Sequence, residues 1–262
     1  MHPLRMDTAG AVQEKLFPTL NTEFDQEEFH NAYPDGIEND FWNTARNRLV
    51  HHFAKKYGLK NILDVGCGRG IATNYIFSRG TMITGVELGI CEPIAGDATI
   101  HYNTNAIHLP IHIRENIQSI ILLDVIEHIK DPEAFIGELK EYYPRLKHLL
   151  ITVPACKEIW SNYDEFYGHF RRYDLPMMES TMRNTGFSIV KQQYFFHPLY
   201  MMLRLQSISK KDRQIKLSAP SSRLSKVLHK FIGNMLYLDA RIVPGKLKGS
   251  SLICVATLND RI

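Results

Sequence analysis

Apolar positions along this chain follow two rhythms that alternate: short unbroken runs closed by glycine or polar residues, and longer stretches in which apolar residues return every three to four positions. Over residues 38 to 57 the second rhythm places Phe41, Trp42, Ala45, Leu49, His52 and Phe53 on one face, which predicts an amphipathic helix ahead of everything else. Asn61 to Val65 then predicts a buried strand, Ile71 to Ser78 a helix, Met82 to Val86 a second strand and Thr99 to Asn103 a third. Ile117 to Leu123 is the clearest strand pattern in the chain. Asp131-Pro132-Glu133 supplies an N-cap and a proline at the first helical position, and Phe135, Ile136, Leu139 and Tyr143 carry that helix to Leu146. His148 to Val153 predicts a strand, Leu175 to Asn184 a helix stopped by Gly186, Phe187 to Tyr194 a strand, and Leu252 to Leu258 the last one. Strands alternating with helices build a mainly parallel sheet covered on both faces, with ligands at the carboxyl ends of the strands.

The segment before the last strand breaks this regularity. Residues 197 to 250 are more than a hairpin needs, and Ser221 or Ser222 can cap a helix whose Leu224, Val227, Leu228, Phe231, Met235, Leu238 and Ile242 form one stripe until Pro244-Gly245 stops it. The net charge of +3 is unevenly spread, because residues 201 to 250 hold eleven Lys or Arg against Asp212 and Asp239. That leaves −6 for the rest and points to an anionic partner, substrate or membrane surface, or to a solvated helical face. An amphipathic stripe most often faces the core, so the insertion is expected to cover an acceptor pocket; peripheral contact with an anionic membrane is the other reading. No run of about 18 apolar residues is present to span a bilayer, and Met1 to Gly10 lacks the order of a signal peptide, so a cytoplasmic protein is expected. Cys67, Cys91, Cys156 and Cys254 form no CxxC pair and read as reduced thiols.

Asp64-Val65-Gly66-Cys67-Gly68-Arg69-Gly70 stands where the first strand turns into a helix, so its glycines allow close backbone approach and the helix amides face the loop. Its GxGxG spacing departs from the GxGxxG of nicotinamide-binding folds. With GVELG, LLDVIEHIKDP and LLITVP following in order, the chain resembles class I S-adenosylmethionine-dependent methyltransferases along nearly its whole length. Phe41 to Leu49 and Trp160 to Tyr173 extend the likeness to a bacterial subgroup, and Asp124 to His128 resembles the small-molecule members, which include the ubiquinone-biosynthesis O-methyltransferases. The resemblance implies an α/β, Rossmann-like seven-stranded sheet with an antiparallel last strand. It implies N-terminal helices over residues 1 to 57 as a cofactor cap, and a methyltransferase domain over residues 58 to 262 carrying the helical insertion.

By the same resemblance Asp64, Gly66, Cys67, Gly68 and Gly70 cradle the methionine part of S-adenosylmethionine, whose product is S-adenosylhomocysteine. Glu87 accepts hydrogen bonds from both ribose hydroxyls, as a charged acceptor facing two donors does well. Four positions before Leu109-Pro110 the family often has an acid at the adenine amine; here stand Asn105 and then Ala106, and an Asn carbonyl can still accept. Leu123 and Asp124 close the cofactor side, while Trp42 and Arg46 can cap it from the upstream helix. Between Glu87 and Thr99 there is room only for a turn around Cys91 to Ile94.

Methyl transfer is an in-line displacement, so alignment and exclusion of water matter most, and a histidine base helps where the acceptor is a hydroxyl. His169 and His128 are the candidates, with Arg172 and Tyr173 beside them in a segment that can equally be an ion-paired lid. Asp-Val-Ile-Glu-His after the fourth strand lacks the Asn/Asp-Pro-Pro-aromatic motif of amino-group methyltransferases, which argues against a nucleic-acid acceptor and leaves a small molecule, anionic or lipid-linked, as the expected partner. The scattered histidines show no metal-ligand spacing, so no metal is expected. Beside this stand a noncatalytic S-adenosylmethionine-binding subunit and, lower, a nucleic-acid methyltransferase drawing on the basic stretch. No protein partner is signalled.

Overall fold

Four consecutive apolar residues with no polar alternation belong to strands buried on both sides, and that is where the computed structural model puts them. It describes residues 33 to 209 and 212 to 259; Met1 to Gly10, and the expected N-terminal extension up to residue 32, lie outside the described residues. Strands β1 (Ile62–Val65), β2 (Ile83–Val86), β3 (Ile100–His101), β4 (Ser119–Leu123), β5 (His148–Pro154), β6 (Phe187–Phe195) and β7 (Ser251–Leu258) form one sheet in the order β3-β2-β1-β4-β5-β7-β6. Every residue of β1 and β4 is buried. β7 runs antiparallel to both β5 and β6, so the expected seven-stranded sheet with an antiparallel last strand is the one observed.

Eight helices of the described residues cover the two faces: α1 (Phe41–Lys56), α2 (Ile71–Phe77), α3 (Ile111–Arg114), α4 (Pro132–Tyr142), α5 (Asn162–Phe166), α6 (Leu175–Asn184), α7 (His197–Ile208) and α8 (Arg223–Ile242). Side chains alternate across the strands. Leu63, Ile120, Leu122 and Leu149 pack with Phe135, Ile136 and Leu139 of α4 and Met178 of α6. Ile62, Ile121, Leu150 and Ile253 pack on the other face with Leu49 and Phe53 of α1 and Leu236 and Tyr237 of α8.

Element ends differ from the periodicity where local chemistry intervenes. The first helix starts at Phe41, because Asp40 accepts from the Asn43 amide at 2.6 Å as N-cap and Ile37–Asn39 is a 3-10 turn. α4 stops at Tyr142 rather than Leu146: Tyr143 precedes Pro144 and is forced out of the helical region, at φ −118° and ψ 83°. The third strand shrinks to Ile100–His101, an edge pair on β2, since Asn103 turns away at φ 49° and its amide bonds the Gly89 carbonyl. Between Glu87 and Thr99 the chain is irregular, as its length requires, and the Ile94 amide reaches back to the Arg69 carbonyl.

The insertion corrects the reading of its own stripe. α8 packs on α1 through Gly233, Leu236, Tyr237 and Ala240, and a Cβ at Gly233 would stand 2.8 Å from the Thr44 Cβ, so the absence of a side chain sets the closeness of the two helices. The long apolar stripe from Leu224 to Ile242 lies on the opposite side and is exposed, Leu224 at 79%, Phe231 at 61% and Ile242 at 76%. The stripe does not reach the pocket, but other parts of the insertion do line it: Leu199, Met202 and Leu203 of α7, Arg213, Gln214 and residues 216 to 218, and His229 of α8. Among the described residues no helix is long and apolar enough to cross a membrane.

Candidate active site

At the carboxyl ends of β1, β2 and β4 lies a cavity of about 650 Å³. Its floor is the glycine bend. Gly66 and Cys67 both donate to the Val86 carbonyl, at 2.9 and 3.2 Å, which folds the bend back over β2. The Gly68 amide donates to Glu87 Oε2 at 2.8 Å and the Gly89 amide to Oε1 at 2.9 Å, so the carboxylate is held on the cavity wall by two backbone donors with lone pairs to spare. Gly68 sits at φ +53°, and a Cβ there would come within 2.7 Å of the Tyr33 hydroxyl. A carboxylate, a side-chain-free bend and the apolar surfaces of Val65, Val86, Leu88 and Ala106 around one cavity fit a nucleoside with an amino-acid tail.

Of the expected cofactor residues, Trp42, Arg46, Gly66, Gly68, Glu87, Asn105, Ala106, Leu123 and Asp124 all line this cavity. Asp64, Cys67 and Gly70 do not; they act beneath it. Asp64 is buried and takes a 2.6 Å bond from the Thr73 hydroxyl, while its Oδ1 has no partner. Burial raises its carboxyl to about 6, with Thr73 and Arg46 opposing. The Cys67 thiol packs against Gly85, and a Cβ at Gly70 would collide with Ile100, so that glycine serves helix packing. Asn105 caps the 3-10 turn Ala106–His108, its Oδ1 accepting from the Ile107 amide at 3.1 Å.

Arg46 does not stand alone: its guanidinium pairs with Asp124 at 2.7 Å and lies 4.3 Å over the Trp42 ring. Asp124 reaches this position at φ 58°, a left-handed backbone at the end of β4. The pair forms the wall between the bend and the second half of the cavity.

That second half is built around Asp164, fully buried on α5, where a capping box with Ser161 fixes it. Its Oδ1 accepts from Arg172 Nε and bonds His169 Nδ1, each at 2.8 Å. Burial works to raise this carboxyl, but the bonds from His169 and Arg172 win and lower it, so it stays ionised. A carboxylate only accepts, hence Nδ1 of His169 carries a proton, and in the neutral ring the lone pair is on Nε2. His128 stacks edge-on against His169 at 4.6 Å, and burial, then the neighbouring imidazole, lower it to about 3. Both histidines and Arg172 line the cavity.

Tyr173 is different. It is buried away from the cavity, its hydroxyl donating to the Ile126 carbonyl at 3.4 Å and its backbone bridging to Ala155, so the structure gives it a scaffolding place rather than a catalytic one.

Several cavity residues escaped the sequence reading. Tyr33 lies over Gly68 and precedes any periodic element. Arg213, from the irregular stretch between α7 and α8, lies 4.3 Å over the Tyr163 ring. Glu127 was visible within Asp-Val-Ile-Glu-His but carried no role; it is 1% exposed and its Oε2 has no hydrogen-bond partner. Folding also assembles what spacing could not announce: ligand atoms of Glu127, His128 and His169 lie within 4.8 Å of one another, a set that can hold a metal ion.

The family model described as "Methyltransferase domain" (Methyltransf_23) matches residues 38–192. The chain is similar to a ubiquinone biosynthesis O-methyltransferase of Sodalis glossinidius (strain morsitans), 30% identical over 101 residues, 34% of this chain and 40% of that protein. A protein of the same name from Coxiella burnetii (strain Dugway 5J108-111) is 25% identical over 118 residues, 38% of this chain and 50% of that protein. The chain thus spans two fifths to a half of the length of these relatives. In fold it resembles magnesium protoporphyrin IX methyltransferase from Synechocystis PCC 6803, solved with bound SAH: TM-score 0.52, 14% identity, 89% of this chain and 93% of that chain. With the helix α1, the glycine bend and the first five strands all inside the matched stretch, which is more than half of its length, this chain belongs to the methyltransferase-domain family.

Proposed function

We propose that the chain is an S-adenosylmethionine-dependent methyltransferase that methylates a hydroxyl oxygen of a small acceptor. The observation that carries the oxygen preference is the buried Asp164 holding the Nδ1 proton of His169, which leaves Nε2 as a proton acceptor on the cavity wall. The two relatives, named O-methyltransferases, support the same choice. When bound, S-adenosylmethionine supplies an electrophilic methyl carbon on its sulfonium. Glu87 would take the ribose hydroxyls, Asn105 and Ala106 the adenine edge, and Arg46 with Asp124 the charged groups of the methionine end. His169 would accept the acceptor's hydroxyl proton, Asp164 stabilising the resulting imidazolium as a fixed counter-charge. Arg213, on the cavity wall, favours an acceptor with an anionic group.

The test is turnover of phenolic acids with methyl-labelled donor. His169→Gln should lower kcat/KM by about 10²- to 10⁴-fold while donor affinity holds. A variant that transfers label as well as the wild type removes His169 from the reaction.

A second reading of the acceptor end is favoured by the unpartnered, buried Glu127 Oε2. A divalent cation held by Glu127, His128 and His169 would compensate that carboxylate and polarise the acceptor oxygen. Elemental analysis of the purified protein, and turnover before and after EDTA, decide between the two: roughly one equivalent of metal and chelator-sensitive turnover favour the cation, full turnover in EDTA the histidine base.

A further inference from the structure

Eleven of the eighteen large apolar side chains exposed among the described residues sit on α7 and α8. On α8 they recur at the spacing of one helical face from Leu224 to Ile242, a stripe about 27 Å long at the helical rise per residue. The usual explanation of such a stripe, burial against the core, is already used by the other side of the same helix, where Gly233, Leu236, Tyr237 and Ala240 meet α1 and the sheet. α8 therefore has two apolar faces, and the outer one carries the larger residues. Charge runs alongside it. Arg223, Lys226, Lys230 and Arg241 stand on one flank, and the helix's single acid, Asp239, is occupied by His197, which contacts it through Nδ1 at 2.9 Å. Over residues 201 to 250 the balance is eleven cations to two acids.

We propose that the outer face of α8, together with the exposed side of α7, docks the protein flat on an anionic lipid bilayer, with the stripe in the acyl boundary and the flanking cations on the headgroups. The charge decides between this and a second copy of the chain, because two such faces brought together would set like charges beside one another. The position of the cavity gives the docking a purpose. Met202 is both exposed on α7 and part of the cavity lining, where Leu199 and Leu203 join it, so the bilayer-facing surface and the cavity share a border. An acceptor with an apolar tail held in the membrane lies on that border. The inference does not depend on methyl transfer, since docking is read without donor or turnover.

Sedimentation of the full chain with vesicles tests it. The protein should pellet with vesicles containing about one third phosphatidylglycerol, stay in the supernatant with phosphatidylcholine alone, and lose binding as salt rises from about 0.1 to about 0.5 M. Leu228→Glu with Phe231→Glu should weaken vesicle binding by at least tenfold, and Lys226→Glu with Lys230→Glu should do the same. Both pairs are exposed, and an unchanged thermal midpoint shows that the fold persists. Wild type that fails to pellet with anionic vesicles overturns the proposal, as does a Leu228/Phe231 variant that binds like wild type. Dimers in light scattering that the Phe231→Glu change dissolves, without vesicle binding, would assign the stripe to a second copy instead.

Discussion

Gly68 shows how one backbone conformation decides the cavity. At φ +53°, with the Tyr33 hydroxyl 2.7 Å from where a Cβ would be, any side chain strains the bend and displaces Tyr33. Gly68→Asp adds a negative charge facing Glu87 as well. Donor binding should fall by more than about a hundredfold while far-ultraviolet circular dichroism stays that of the wild type; undiminished calorimetric affinity would take the bend out of the site. Asp64, just beneath, makes a different prediction. Its carboxyl is raised to about 6 by burial, above its unfolded value of 3.8. The stability this group contributes is therefore fully present below pH 3.8 and is lost as pH rises through 6, since the folded chain must then ionise a buried acid. A shift of this size corresponds to about 3 kcal/mol. Asp64→Asn should flatten that part of the pH dependence of the urea midpoint between pH 4 and 7; the same slope in both proteins would show that Asp64 does not titrate there.

Among the elements, α1 and α8 form a pair whose spacing Gly233 sets. Gly233→Val should force the Thr44 side chain and the Phe41 carbonyl apart from α8, at a cost of about 1 to 3 kcal/mol in unfolding free energy. Because Phe41 and Trp42 of α1 line the cavity, the same change should weaken donor binding, whereas Gly58→Ala, with nothing near its Cβ, should leave donor binding intact. This pair also marks the boundary of what the sequence discloses. Strands β1, β4 and β5 were legible because burial on both faces demands apolar runs, broken only by the buried Asp64 in β1 and Thr152 in β5. The apolar stripe of α8 was legible as a stripe, yet periodicity cannot say which side of a helix meets the core. There the contact with α1 is made by Gly233 and Ala240, small residues that carry little apolar signal, beside Leu236 and Tyr237 of the same face. The glycine bend and Glu87 could be placed because both lie at strand ends fixed by local pattern. Tyr173 was misplaced, since adjacency to His169 and Arg172 in sequence does not reveal that the chain bridges to Ala155 and buries that ring outside the cavity lining. The approach of Glu127 to His169 depends on tertiary folding, as does the stacking of Arg213 on Tyr163, and neither leaves a trace in spacing.

For the whole molecule, the sheet brings two chemically distinct half-sites into one cavity: the bend with Glu87 on one side, Asp164 with His169 on the other, and the Arg46–Asp124 pair between them. On the proposed function, donor binding would fall to the ends of β1 and β2, and choice of the acceptor to α5 and the insertion. The most direct test of this account is calorimetric titration of the wild type and of Glu87→Ala with S-adenosylmethionine. Saturable one-to-one binding is predicted for the wild type. Loss of the charged acceptor should weaken it by about 1.5 to 3 kcal/mol, roughly ten- to a hundredfold, without shifting the thermal midpoint of the free protein by more than a few degrees. No binding heat in the wild type, or equal affinity in the two proteins, would contradict it.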